Sequence, residues 1–481
     1  MITTISTQEP AGAGASPLRA LDPMQGEHDI PITHVEGTLP PALAGTLYRI
    51  GPGHTDVFGH RDGHWFDGDG MVTGFFLQDG QARFRNRFVR TPYYLAEQAA
   101  GKRLYPGFAT RRPGGFWRNL PQAMKNPANT NALPFGDRLL ALWEGGRPFA
   151  LDLTTLNTLG EEDFGGGLPP GSFFSAHPHR DPDGGIVNVG SLMGRKPALQ
   201  ARHVDPAGKA RRLVRIPLDK PYMVHDFGLT PTKVVILAGP FYVDLSRMLG
   251  CLVGTRTIFD AFSWHDQEPM VVYVADRNGG SVVRYELPTA MSFHVANAFD
   301  DQGDVVIDAG LYPDDSPLRT IDAGFHGRPS VDEGGQLMRI RLRPDGTATR
   351  HLLSDAFLDF PRIHPRLETQ PYRYVYASEY RKDSYMSSRI LKIDTATGDT
   401  HAHDFGAQGF PSEPVFVPRP GATREDDGWV LSLVYDSSDH HSYLAVVDGQ
   451  NIEQLHARLH LPFHVPLTFH GNWGEGKVGS E

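Results

Sequence analysis

A β hairpin returns along this chain at a nearly constant interval. Each copy is an alternating apolar strand, a turn of Asp, Pro, Thr and Gly, and a return strand. Copies occupy Ala150 to Thr155, Met338 to Gly346, Ile390 to Thr400 and Leu444 to Ile452. Leu342 to Ile393 is 51 residues and Ile393 to Val447 is 54. Matching hairpins at that interval mark propeller blades of four strands. The 481 residues leave room for seven blades, and the 53 glycines and 39 prolines suit many short strands and turns. The expected fold is all-β: one seven-bladed β-propeller over residues 18–481, with a helical and loop cap on one face. Inserts at about 92–125 and 239–260 supply the cap.

Local signals fill in the rest. Gly45 to Gly53 reads as a strand closed by a Gly-Pro-Gly turn. An Asp-Gly turn at Asp67 to Gly70 feeds a strand from Val72 to Leu77, and Asp79-Gly80 turns it into Ala82 to Val89. The Asp/Gly run lacks the further acids and closing Glu of a calcium loop. Tyr93 to Lys102 has helical composition, and strands resume at Ala128 to Leu133. Residues 1–17, rich in Thr, Ser, Ala, Gly and Pro, read as a disordered lead without the basic start and apolar core of a signal peptide.

The net charge of −10 and the small basic clusters exclude a nucleic-acid footprint. A single cysteine, Cys251, rules out an internal disulfide and fits a reducing cytosol. No run approaches the ~18 apolar residues of a membrane span. Two apolar stretches with scattered Arg, Phe108 to Leu120 and Phe241 to Val253, are candidates for a collar that dips into a membrane; the second reads as an amphipathic helix. The expectation is a cytoplasmic protein with peripheral membrane contact and no obligate protein partner.

Four of the 22 histidines stand in or beside short apolar runs that end in turns: His177, His225, His294 and His470. Their gaps of 48, 69 and 176 residues match no local zinc spacing. On spacing alone they are not separable from surface or core histidines. In a propeller, however, each innermost strand points at the axis, so distant blades can bring imidazoles to one metal ion. Imidazole suits iron, copper, zinc and nickel alike. Three acids sit within apolar segments where an unpaired charge is costly: Glu144, Asp359 and Glu413. Each reads either as the carboxylate that takes a ligand histidine's other ring N–H or as a loop acid at a blade edge.

Several motifs together resemble the carotenoid cleavage oxygenase family. They are Phe66-Asp67-Gly68-Asp69-Gly70-Met71, Asn129-Thr130-Asn131, Trp143-Glu144-Gly145-Gly146, Ser175-Ala176-His177-Pro178, His225-Asp226-Phe227, Phe293-His294, Glu413-Pro414-Val415-Phe416-Val417-Pro418-Arg419 and His470-Gly471. The resemblance implies one Fe(II) per chain, held by His177, His225, His294 and His470. It also implies Glu144 behind His225, Asp359 behind His294 and Glu413 behind His470, with Thr130 near a vacant iron position. The family usually has Glu where this chain has Asp359, one methylene shorter, which puts that contact in question. The implied reaction is oxidative cleavage of a conjugated C=C bond of an apolar polyene by O₂, giving retinal-type aldehydes. Phe66, Trp143, Phe293 and Phe360 are the candidates to line the tunnel. Two other readings stay open. One is a stilbene-cleaving member of the same family, whose branch carries a lysine where this chain has Trp143. The other is a non-catalytic, metal-stabilised propeller.

Overall fold

The structure, a computed structural model, describes residues 17–120, 124–192, 196–328, 334–380 and 386–476. All of the expected lead but Pro17 lies outside them. Seven antiparallel sheets of four to six strands form the blades. Their axial strands are Gly471–Gly474, Asn131–Phe135, His179–Arg180, Gly228–Leu229, Met291–Asp301, Leu358–Arg362 and the pair Gly409–Pro411 and Val415–Pro418.

Both ends of the chain close the ring. Gly471–Gly474 pairs with Gly45–His54, so the last strand completes the blade that the N-terminal region begins. Asp29–Pro31 is the outer strand of that blade, and His34–Gly37 is the outer strand of the blade before it. The core lies between facing sheets. Leu47, Phe75 and Phe84 of the closing blade, for example, pack against Trp429, Leu431, Leu444 and Val446 of its neighbour. Burying each such side chain is worth roughly 1.5–3 kcal/mol.

The four expected hairpins are all present, and each joins the third and fourth strands of a blade. In three of them one device explains the shared composition. An aspartate at the end of the third strand accepts hydrogen bonds from backbone N–H groups two or three residues on. Asp152 takes Thr154 and Thr155, Asp394 takes Ala396, and Asp448 takes Gln450 and Asn451. Such side-chain turns are why Asp and Gly recur there. The turn at Asp79-Gly80 has positive φ at both residues (51° and 73°), as a two-residue hairpin requires.

Two local expectations need correction. The strand from Gly45 continues through Gly51-Pro52-Gly53 to His54 and does not turn there. A Cβ on Gly51 would lie 2.7 Å from Thr468 Cα, so close packing requires this glycine. The strand expected at Ala128 starts at Asn131; Ala128 has φ +48°, and Asn126 Oδ1 accepts its N–H.

Among the described residues three helices cover one face. α1, Pro92–Ala100, is capped by Thr91 and ends on the left-handed Gly101. α2, Leu245–Leu252, is capped by Asp244. α3, Ser316–Phe325, comes from an insert in the fifth blade that the sequence pattern did not reveal. The Asp/Gly run anchors this cap. Buried Asp67 accepts from Phe108 N (2.6 Å), Ala109 N (2.9 Å) and Thr110 Oγ1 (2.6 Å). Asp69 pairs with Lys125, which pairs in turn with Glu97 of α1. Among the described residues no helix is long and apolar enough to cross a membrane.

Candidate metal centre

Every blade places one residue of interest at the start of its axial strand, within it, or in the turn beside it. In ring order they are His470, Thr130, His177, His225, His294, Asp359 and Glu413. The four histidines converge. Nε2 of His177 lies 3.0 Å from that of His225, His225 lies 3.3 Å from His294, and His294 lies 3.2 Å from His470. Two nitrogens bound cis to one ion at ~2.1 Å are ~3.0 Å apart. All four ligand nitrogens lie within 4.8 Å of one another.

The opposite ring nitrogens fix what those Nε2 atoms are. His294 Nδ1 is 2.7 Å from Asp359 Oδ1, His470 Nδ1 is 3.0 Å from Glu413 Oε1, and His225 Nδ1 pairs with Glu144. A carboxylate accepts, so in His294 and His470 Nδ1 carries the proton and Nε2 presents a lone pair. Lone pairs about 3 Å apart repel unless a cation lies between them. The donor set therefore fits a metal ion. Among the described residues no acid reaches the Nδ1 of His177. Burial, with the other imidazoles adding to it, holds His177 well below its ordinary range. Burial also takes His470 down to about 4, against Glu413. Burial opposes charge on His294 too, but Asp359 outweighs it and raises that ring.

Asp359 meets His294 directly despite its shorter side chain. The backbone bulges between Asp359 and Arg362, and Phe360 takes φ +54°. Phe360 N donates to the same Asp359 Oδ1 at 2.8 Å, which fixes the carboxylate. Glu413 is held by more than His470. Gly471 N donates to its Oε2 at 3.0 Å, and Arg49 and Arg362 lie at 3.3 Å from its two oxygens. These cations and His470 overcome burial and keep the carboxyl well below its usual range. Arg49 went unread in the sequence, although an arginine inside Leu47-Tyr48-Arg49-Ile50 was the visible signal. His179, two residues past His177, is not part of the cluster; it pairs with Asp226 at 3.0 Å.

A cavity of about 1070 Å³ ends on this cluster. Phe66, Trp143, Phe293 and Phe360 all line it, as do Thr130, Glu144, His225, His294 and His470. The Phe293 ring lies 4.5 Å from that of His225, and Phe360 stacks on His294 at 4.9 Å. Sequence reasoning missed the contributions of Trp65, Tyr222, Phe262 and Phe469, and of Ile321 and Phe325 from α3.

Comparison with known proteins agrees with this geometry. The model of the retinal pigment epithelial membrane protein family, RPE65, matches residues 21–475. The chain belongs to this family. Its members include apocarotenoid-15,15'-oxygenase from Synechocystis, 37% identical over 99% of this chain and 100% of that protein. Resveratrol cleavage oxygenase 1 from Aspergillus fumigatus is 30% identical over 96% of both chains. The crystal structure of cobalt-substituted Synechocystis ACO superposes with a TM-score of 0.89 at 36% identity, covering 95% of this chain and 98% of that one. The family's enzymes are carotenoid and apocarotenoid oxygenases, with stilbene-cleaving members among them.

Proposed function

We infer that this protein is a non-haem Fe(II) oxygenase that cleaves a conjugated C=C bond of an apocarotenoid with O₂, giving retinal-type aldehydes. One observation carries the reading: a large, aromatic-walled cavity ends on the four-histidine cluster, with His225, His294 and His470 in its wall. Its volume stands at the upper end of the range for ligand pockets. Iron(II), when bound, supplies the activation of dioxygen. His177, His225, His294 and His470 hold it, and Glu144, Asp359 and Glu413 keep the Nδ1 protons in place. That a relative was crystallised in cobalt-substituted form supports a metal-dependent reading. Phe293 and Phe360, packed against the ligand rings, present the polyene to the centre, while Phe66, Trp143 and the cap exclude water. Thr130 shapes the wall beside the ligands. Trp143, where the stilbene branch carries lysine, offers a polyene an apolar surface and a phenol no cation. The chain is read as one propeller unit over residues 18–481, with the cap as its inserts.

The assay follows directly. Iron-loaded protein, with one iron per chain, should bleach the visible band of β-apo-carotenals and leave resveratrol's absorbance unchanged. Bleaching of resveratrol alone would select the stilbene reading, and bleaching of neither would leave the metal-stabilised propeller.

Apolar substrate needs a route from a lipid phase. Trp117, Leu245, Leu249 and Leu252 are 73%, 78%, 63% and 54% exposed on the cap, and Leu245 and Leu252 also reach the cavity. This collar is read as a peripheral membrane contact. Asp at Leu249 and Leu252 should abolish co-sedimentation with liposomes at unchanged melting temperature. Undiminished sedimentation would sink the idea.

A further inference from the structure

The third blade carries a second cluster of metal-ligating groups. The hairpin Asp181-Pro182-Asp183-Gly184-Gly185 lies at one end of strand Ile186–Leu192, and the other end lines the cavity. His203, on the next strand, Ala198–Val204, points into this hairpin. Its side chain is 3% exposed, and its Nε2 lies 2.9 Å from Asp183 Oδ2 and 3.3 Å from Asp181 Oδ2. Even so, its Nδ1 has no hydrogen-bond partner, and its Nε2 makes no hydrogen bond of good geometry. The carboxylates flank Nε2 and lie off the line an N–H would take. Buried polar atoms left this way are rare and call for a cause.

A cation supplies one. Donors bound cis at ~2.1 Å to a single ion lie ~3 Å apart and off each other's lone-pair axes. The three donor atoms lie within 4.8 Å of one another. Glycine at 185 keeps the place open, because a Cβ there would sit 2.8 Å from His203 Nε2 and 2.9 Å from Asp183 Oδ1. Half-exposed Asp183 gives an entry path from solvent. Arg277 also pairs with Asp181, so it offsets one of the two carboxylate charges and leaves the other for the cation. We propose that His203, Asp183 and Asp181 form a second divalent-cation site, separate from the four-histidine centre. One imidazole and two carboxylates suit zinc or manganese. Arg277 also donates to the carbonyls of Thr230 and Pro231, so the ion would tie the hairpin to its own sheet and, through Arg277, to the next blade.

The test is a Zn²⁺ titration of the iron-loaded full chain by calorimetry, followed by desalting and a metal count. Wild type should take up one zinc per chain beyond its iron, with iron content unchanged. Asp183→Asn and His203→Gln should bind at least tenfold more weakly. Zinc should raise the melting temperature of wild type and not of Asp183→Asn, whose half-exposed side chain makes it the safer variant for folding. No uptake beyond the iron would mean that His203 is simply ion-paired, and would overturn the proposal. Equal uptake by wild type and both variants would overturn it too, moving the zinc to exposed groups such as His34, Glu36 and His460.

Discussion

Alanine at His294 is expected to strip the metal and abolish turnover together. Its Nε2 stands between those of His225 and His470, at 3.3 and 3.2 Å, so its loss opens the cluster in the middle. The three remaining imidazoles are left one donor short at the ion's position. His225→Ala should behave alike, since that ring links His177 to His294. Changes one layer out should be milder. Asp359→Asn or Glu144→Gln leaves every ligand nitrogen in place but weakens the hold on one Nδ1 proton, a loss of typically ~10–100-fold in metal affinity or activity. Metal content after gel filtration, read beside circular dichroism, separates these cases. A folded His294→Ala protein that kept its iron and its rate would refute the assignment of that ligand.

The parts of this molecule that were legible in the sequence are those where one residue does one local task. The blade interval could be read because the same aspartate-capped turn follows the third strand of several blades, as at Asp152, Asp394 and Asp448. The four histidines and three acids could be named because their motifs resemble a family in order. Tertiary geometry hid the rest. Nothing local marks Gly471–Gly474 as the partner of Gly45–His54, because closing the ring joins the two ends of the chain. The direct Asp359–His294 contact depends on a bulge and a left-handed phenylalanine, which ordinary propensity disfavours. Asp67 and Asp69 looked like turn residues, and their work lies with partners about 40 and 56 positions away, at Phe108 and Lys125.

Arg49→Met is expected to destabilise the protein on the order of 3–5 kcal/mol, the usual cost of breaking a buried ion pair from one side. Arg49 is fully buried, and its guanidinium serves two stretches of chain, Thr468-Phe469 and Glu413. Nε donates to Thr468 Oγ1 at 2.8 Å, Nη2 to Phe469 O at 2.8 Å, and Nη1 to the backbone oxygen and the carboxylate of Glu413 at 3.1 and 3.3 Å. Burial draws Arg49 down to about 10 while Glu413 supports its charge, so the group is kept charged against a desolvation cost. Removing it leaves those buried acceptors short of donors, and leaves Oε2 of the acid that orients His470 with Gly471 N as its remaining donor. Arg49→Lys should recover little, because a single ammonium cannot span a fork of acceptors on separate segments. Two measurements read this out. The denaturant midpoint of the metal-free protein should fall at unchanged slope, and the iron-loaded protein should lose its metal to a chelator faster than wild type. Equal midpoints for wild type and Arg49→Met would mean that ring closure and the metal centre are not coupled through this side chain.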